Sequence, residues 1–360
     1  MNMTNLDHAA GRGSGSAVLL GLSGGVDSAA SAILLKEAGY RVRAVTLWTW
    51  TESSDRSLIE QAGRSAALLG IPHEVVDVRQ AFYQEVVVPF VQAWQEGLTP
   101  NPCVFCNPDF KFKVMARLAD QLDCQYLATG HYARLADRGQ GPALHRALHR
   151  EQDQSYFLYR LTPALLDRTL FPVGSLTKAE VRQIAERYRD PAAGQRDSQD
   201  ICFIGKNQLK GFLSRQGLKD QPGPFLDRAG QIIGQHQGSW HFTPGQRRRL
   251  GQAFGRRMTV LSVDRQKNTV TLGDEEDALI RQLELTDLVF PRLAASELDA
   301  QVQLRSQGTS LAARLAIEPD GLRAKVFLDQ AVRLTAAGQS AVFYDDDEVL
   351  GGGLVASMSS

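Results

Sequence analysis

The sequence predicts an α/β fold: an amino-terminal domain built on a parallel sheet with helices on both faces, then a small β-rich central domain and a carboxy-terminal β-barrel domain. Three observations carry that prediction. From Ala17 to about Ile204, short apolar runs alternate with longer helical patterns, as βαβ units require. Beyond Gly205 the texture changes to Gly and Pro punctuation between short β-rich runs. From about Leu283 to the end, alternating runs succeed one another with turn residues between them, the pattern of a small barrel or sandwich. The expected organisation is a disordered start over 1–16, a sheet domain over 17–206, a central domain over 207–280 and a barrel over 281–360.

In chain order, Val18-Leu19-Leu20 reads as the first strand and Ala29 to Ala38 as an alanine- and leucine-rich helix stopped by Gly39. Val42 to Leu47, His73 to Val78 and Tyr126-Leu127-Ala128 read as further strands of the same sheet, and a helix is expected from near Phe110. In the central domain Asn268 marks a turn between Leu261-Ser262-Val263 and Thr269 to Leu272. Gln301 to Leu304, Ala313 to Ile317, Arg323 to Leu328 and Ala341 to Tyr344 are the expected barrel strands, with Pro319-Asp320-Gly321 as one turn.

Composition narrows the function classes. At 360 residues and 43% hydrophobic content the chain can bury more than one core. No run approaches the ~18 apolar residues of a membrane span, and Met1 to Ser16 lacks the basic start and apolar centre of a signal peptide. A cytoplasmic protein without a membrane partner is expected. Forty basic and forty acidic residues cancel, so any nucleic-acid site must be a local patch.

The loop Gly21-Leu22-Ser23-Gly24-Gly25-Val26-Asp27-Ser28 follows the first strand and opens the first helix. Unpaired N–H groups and the positive helix end favour phosphate there. A Walker A loop would need Gly-Lys-Ser/Thr, and a dinucleotide loop Gly-x-Gly-x-x-Gly; neither is present. Without the lysine that reaches the terminal phosphates, the loop suits ATP whose pyrophosphate is a leaving group. Asp27 is the candidate to hold Mg²⁺, its simpler alternative being a helix cap. The pattern resembles the signature of the ATP-pyrophosphatase enzymes, which share an adenine nucleotide α-hydrolase-like fold.

Four cysteines are too few for a disulfide framework in a chain of this size. Cys103 and Cys106 stand three apart in a turn-rich stretch before the expected helix, where a helix start lowers thiol pKa. Cys202 lies almost a hundred residues away, so only folding can join it to the pair. The spacing is poor for structural zinc, and Cys124, beside the strand Tyr126 to Ala128, reads as a buried structural residue.

Taken together, the segments resemble the tRNA-specific 2-thiouridylases, the bacterial family that replaces the C2 oxygen of wobble uridine with sulfur. The resemblance covers almost everything after Ser16. Its markers are Gly21 to Ser28, Thr99 to Asn107 with Lys111-Phe112, Ala128 to Tyr132, Asp153 to Phe157, Phe171 to Gly174, Asp197 to Ile204, Thr243 to Arg247 and Gly338 to Tyr344. It implies that ATP binds Gly21 to Ser28 with Leu47 and Gly130 at the adenine or ribose, and that the uridine oxygen is adenylylated. Sulfur carried as a persulfide on Cys202 then expels AMP. Cys106 attacks that persulfide or closes a disulfide with Cys202.

The resemblance also implies two partners, tRNA and a persulfide sulfur donor (a cysteine desulfurase or a relay protein). It assigns tRNA contacts to Asn101, Pro102, Cys103, His131, Gln152, Asp153, Gln154, Arg305, Ser306 and Gln339. Gln152 stands where lysine is common, and Ser306 where a tyrosine would stack. Arg247-Arg248-Arg249 can meet phosphate or simply face solvent. Many relatives have aspartate at Cys103, so a carboxylate proposed for acid/base support is missing here. Either a thiol shuttles the proton, or Cys103, Cys106 and Cys202 jointly hold a [4Fe-4S] cluster with one open iron. Two other readings fit the loop: an adenylylating amidotransferase, and a non-catalytic RNA-binding protein.

Overall fold

The computed structural model describes residues 15–52, 55–137, 141–194, 201–291 and 296–359. The expected disordered start and the Asp197 to Asp200 part of the second cysteine motif therefore lie outside, or almost outside, the described residues. The chain divides into two compact units. The first comprises Met1–Val86, Cys103–Phe203 and Asp346–Val349, and the second Val87–Pro102, Ile204–Asp345 and Leu350–Ser360.

The first unit is the parallel sheet domain. Strands β1 (Ala17–Gly21), β2 (Arg41–Trp48), β3 (His73–Asp77), β4 (Tyr126–Thr129) and β7 (Thr169–Leu170) lie in the order β3-β2-β1-β4-β7, every pairing parallel. Helix α1 (Val26–Glu37) returns the chain from β1 to β2, and α2 (Ser57–Leu69) from β2 to β3. β1 is buried on both faces, Val18, Leu19 and Leu20 being 0% exposed, which is why it reads as a continuous apolar run. Val18 and Leu20 pack with Ala29, Ala30 and Ile33 of α1 in one core. Strand order reverses beside β1, between β2 and β4, and that switch point is where open α/β sheets leave a crevice for ligands. A hairpin of β5 (Ala133–Asp137) and β6 (Pro142–Arg146) follows β4 and holds residues 346–349 through the His145–Glu348 pairing.

One expectation needs correction. The helix does not start near Phe110: the chain is helical from Pro102, as an α-helical turn Pro102–Phe105, a π-helical stretch Cys106–Phe112 and α3 (Lys113–Gln121). Pro102 fits a first helical turn, where its missing N–H costs nothing. Pro108 cannot donate an i→i−4 bond, and the helix widens around it instead of stopping. Cys103 and Cys106 are thus helical residues.

The second unit carries two β structures and the helices Val88–Gln95 and Leu209–Arg215. Strands β8 (Gly223–Leu226), β9 (Ile232–His236), β10 (Thr259–Asp264) and β11 (Thr269–Gly273) form a sheet ordered β10-β11-β8-β9. Its core is Phe225, Phe242, Leu250, Met258, Val260, Val270 and Leu272. Asn268 makes the expected turn between β10 and β11 in left-handed conformation, φ 52°. Strands β12 (Leu279–Val289), β13 (Glu297–Gln303), β14 (Leu311–Ile317), β15 (Ala324–Arg333), β16 (Ser340–Asp345) and β17 (Glu348–Ser359) follow in the order β12-β15-β14-β13-β16-β17, and β17 pairs back with β12 to close a six-stranded barrel. Closure leaves no open edge. Among the described residues no helix is long and apolar enough to cross a membrane.

Candidate active site

The loop after β1 opens α1, as its sequence predicts, and lies at the switch-point crevice. Gly25 begins α1 with no side-chain cap, so the first-turn N–H groups and the positive helix end remain available to an anion. Ser28 Oγ accepts from the Ser23 N–H at 3.1 Å and donates to the Gly25 carbonyl at 2.9 Å, with Ser23 Oγ 3.2 Å away. The two hydroxyls shape the loop. Gly24 has φ +84°, and a Cβ there would sit 2.2 Å from the Leu58 carbonyl oxygen. Gly130, at the end of β4, approaches the loop so closely that a Cβ would fall 2.8 Å from Ser28 N and 2.9 Å from the Asp27 carbonyl carbon. Both positions are closed to any side chain.

Gly21, Leu22, Ser23, Asp27, Ser28, Leu47 and Gly130 line one cavity of about 380 Å³, and Gly24, Gly25 and Val26 complete the loop behind them. Trp48, not singled out in the sequence, also lines it, with the guanidinium groups of Arg79 and Arg56 at 3.7 and 4.3 Å from its ring. Asp27 caps nothing. Its carboxylate takes both oxygens to Lys178 Nζ, at 2.8 and 2.9 Å, and accepts from Tyr132 Oη at 2.7 Å. Lys178 opens α4 (Lys178–Arg187), whose first turn is fixed by the Thr177–Glu180 capping box. These partners escaped the sequence reading because they lie 105 and 151 residues away.

Folding brings the thiols together. Cys202 is exposed and lines the same cavity as the loop after β1, Cys106 is buried and Cys103 half-buried. All four cysteines are free, and Cys124 is buried, 3% exposed. Burial pushes the Cys106 thiol up to about 12 and raises that of Cys103, each opposed by Lys111 and reinforced by Cys202. The low pKa expected from a helix start is therefore overturned by burial. Lys111 lines the cavity too. Burial would strip its proton, but Cys106, Cys202 and Cys103 together outweigh burial and raise its pKa. The π-helical stretch explains the placement: Lys111 follows Cys106 by five residues, and an i→i+5 spacing returns to one face in a π-helix but not in an α-helix. The sequence signal was Pro108 between them.

His131 lines the cavity, and Thr129 Oγ1 lies 2.9 Å from its Nδ1. Burial, with Lys111 beside it, brings its pKa down to about 3, so it is neutral. Gln154 lines the cavity as well and accepts from the Tyr132 N–H at 2.9 Å. Asp153 is turned inward: 6% exposed, it bridges to Arg146 at 3.2 Å and accepts from the N–H of Ala147 and the N–H and hydroxyl of Ser155. Gln152 is half-buried in the adjacent 3₁₀ turn. In the second unit Gln339 donates to the Thr99 carbonyl, two residues before Asn101, and Thr99 N–H bonds Ala337. Pro102 is buried and Asn101 half-buried. Arg305 donates to the Leu334 carbonyl at 3.3 Å, while Gln303 fastens the carbonyls of Arg305 and Ser306, each at 2.9 Å.

Among the described residues no group of three or more His, Cys, Asp or Glu side chains is arranged to hold a metal ion. The three thiols, with an ammonium among them, do not make a cluster ligand set. Mg²⁺ asks for less, since it is usually held by one or two carboxylates plus substrate phosphates; Asp27 is the loop's carboxylate, and both its oxygens are here taken by Lys178, with Tyr132 donating to one.

Residues 16–206 match the family model described as the tRNA methyl transferase HUP domain. Residues 210–274 match the tRNA methyl transferase PRC-barrel domain, and 281–355 the aminomethyltransferase beta-barrel domain. The chain is 39% identical over 354 residues to the tRNA-specific 2-thiouridylase MnmA 1 of Caldanaerobacter subterraneus subsp. tengcongensis, covering 94% of this chain and 97% of the relative. To the tRNA-specific 2-thiouridylase MnmA of Acidithiobacillus ferrooxidans it is 39% identical over 343 residues, and to that of Clostridioides difficile 36% over 351, again covering 94% and 97%.

Proposed function

The chain belongs to the tRNA-specific 2-thiouridylase family, and on that premise we propose that it thiolates the wobble uridine of tRNA at C2 by adenylylation followed by sulfur transfer. The observation that carries the reading is one cavity lined by both the ATP loop and Cys202. ATP binds on Gly21 to Ser28, its pyrophosphate at the uncapped start of α1. Asp27 would hold the accompanying Mg²⁺, which would supply charge neutralisation at the phosphates, and Lys178, its present partner, would then be placed to meet phosphate oxygens. The uridine C2 oxygen attacks the α-phosphorus, an oxygen–phosphorus bond forms and pyrophosphate leaves.

A persulfide donor loads Cys202, which is exposed. The terminal sulfur of the Cys202 perthiolate, balanced by the Lys111 ammonium, attacks C2 and AMP departs with the former C2 oxygen. Cys106 then attacks the Cys202 sulfur. A Cys106–Cys202 disulfide forms, the sulfur–sulfur bond to the nucleotide breaks, and 2-thiouridine is released. The two thiols supply the electrons that reduce sulfane sulfur, and a cellular thiol restores them. Neutral His131, with Asn101, Pro102, Cys103, Gln154 and Gln339, is assigned to holding the tRNA, and Cys103 to moving a proton where relatives use aspartate.

The test is thiolation of unmodified tRNA with ATP, Mg²⁺ and a small persulfide donor, read by nucleoside analysis. Equal AMP, pyrophosphate and 2-thiouridine are expected. Cys202→Ser and Cys106→Ser should fall to background while still binding ATP. Colourless, iron-free protein should suffice; activity that requires added iron and sulfide would overturn the free-thiol route. ATP consumption without 2-thiouridine in the wild type would overturn the function itself.

A further inference from the structure

The loop from Arg247 to Met258 in the second unit contains Arg247, Arg248, Arg249, Arg256 and Arg257 within twelve residues. It is not a solvated tail. Leu250 and Met258 are buried in the central core, and Phe254 packs against that core. Gln246 Nε2 donates to the Arg248 carbonyl at 2.9 Å and reaches that of Arg249 at 3.5 Å. Arg249 is held left-handed at φ +60°, a conformation a bulky residue keeps only where its surroundings impose it. The apolar anchors leave the arginines outward: Arg248, Arg249, Arg256 and Arg257 are exposed.

Arg247, Arg249, Arg256 and Arg257 line an open recess of about 520 Å³. Two of them are already balanced at the rim, Arg247 by Glu275 at 2.9 Å and Arg256 by Asp274 at 2.8 Å. Among the described residues Arg248 and Arg249 have no ion pair, and Arg257 influences the Glu275 carboxyl without bridging to it. Arg249 also acts on Lys210, helping burial to lower its pKa. Positive charge is therefore concentrated here beyond what neighbouring carboxylates cancel, in a chain whose net charge is zero.

We propose that this pinned arginine loop binds the sugar–phosphate backbone of tRNA, its recess receiving phosphate. Planar guanidinium forks suit phosphate oxygens. Phe254, the aromatic residue lining the recess, packs against the central core, and the exposed guanidinium groups contribute sequence-independent affinity through phosphate. The inference rests on the tRNA reading above and adds a binding surface to it.

The test compares wild type with the triple variants Arg248→Ala/Arg249→Ala/Arg257→Ala and Arg248→Lys/Arg249→Lys/Arg257→Lys. tRNA affinity is measured from 50 to 300 mM KCl, with kcat and the KM values. In the alanine variant the tRNA Kd should rise about tenfold or more near physiological salt. The slope of log Kd against log salt should shrink by about 2 to 2.7 for three lost contacts. The KM for ATP and kcat at saturating tRNA should hold, and the lysine variant should keep the wild-type slope. A wild type that binds and thiolates tRNA with the alanine variant matching its affinity and slope overturns the loop's role alone. A wild type that does neither overturns the tRNA reading, and the loop's role with it.

Discussion

Burial raises the Cys103 and Cys106 thiols, the latter to about 12, and Lys111 is the charge that opposes it. Removing the ammonium should therefore raise the Cys106 pKa further. At any pH below that pKa, each unit of rise costs a factor of ten in thiolate. Iodoacetamide at pH 9 should label exposed Cys202 first and buried Cys106 at least about tenfold more slowly. In Lys111→Met, Cys106 labelling should drop by about a further factor of ten, and Lys111→Arg should restore most of it. Mass spectrometry of the labelled peptides reads both sites. Identical labelling in all three proteins would show that the ammonium does not govern the thiols.

Elements explain which parts of this were readable in advance. The strand β1, the glycine loop and α1 were legible because every signal lies in one unbroken stretch from Ala17 to Gly39, and the closing of α1 before Gly39 followed from the same stretch. The barrel was legible in β13 to β16, yet β12 and β17 were not: β17 contains Gly351-Gly352-Gly353, which hides its strand pattern, although a Cβ on Gly351 would meet the Val289 carbonyl oxygen at 2.3 Å. The π-helical stretch was misread as turn because Pro108 is a breaker by local rules. Lys178 and Tyr132 reach Asp27 only through tertiary structure. Elements also set the cost of crowding the loop. In Gly130→Ala the new methyl meets backbone atoms, Ser28 N and the Asp27 carbonyl carbon, which have no rotamer by which to escape. Displacing the loop by even ~1 Å is expected to weaken ATP at least about tenfold, with tRNA affinity retained. Gly63→Ala is the control, since Gly63 lies in α2 outside the cavity lining and its methyl meets nothing nearer than His73 Nδ1 at 3.8 Å. Equal ATP affinities in the two variants would mean that the close approach of Gly130 does not shape the site.

Across the whole molecule, forty positive and forty negative residues cancel, so overall self-repulsion is small near neutrality and stability against acid falls to local terms. Four of the seven histidines have pKa values lowered chiefly by burial: His73 and His131 in the first unit, His236 and His241 in the second. Each is neutral in the folded chain at pH values where the unfolded chain, near 6.5, takes up a proton. Their contribution is therefore complete above about pH 6.5 and is lost as the pH falls, down to about 3 for His131. Every extra proton bound on unfolding steepens the fall by ~1.4 kcal/mol per pH unit. Urea unfolding in matched buffers should show the midpoint dropping between pH 7.5 and pH 5, with net proton uptake on unfolding of at least one per chain at pH 5.5. His131→Gln keeps a polar side chain but cannot be protonated, so it should flatten that dependence even if it lowers stability at pH 7.5. A midpoint that is level from pH 7.5 to 5 in the wild type would mean that these histidines are already protonated in the folded chain, and that His131 enters the active site as a cation.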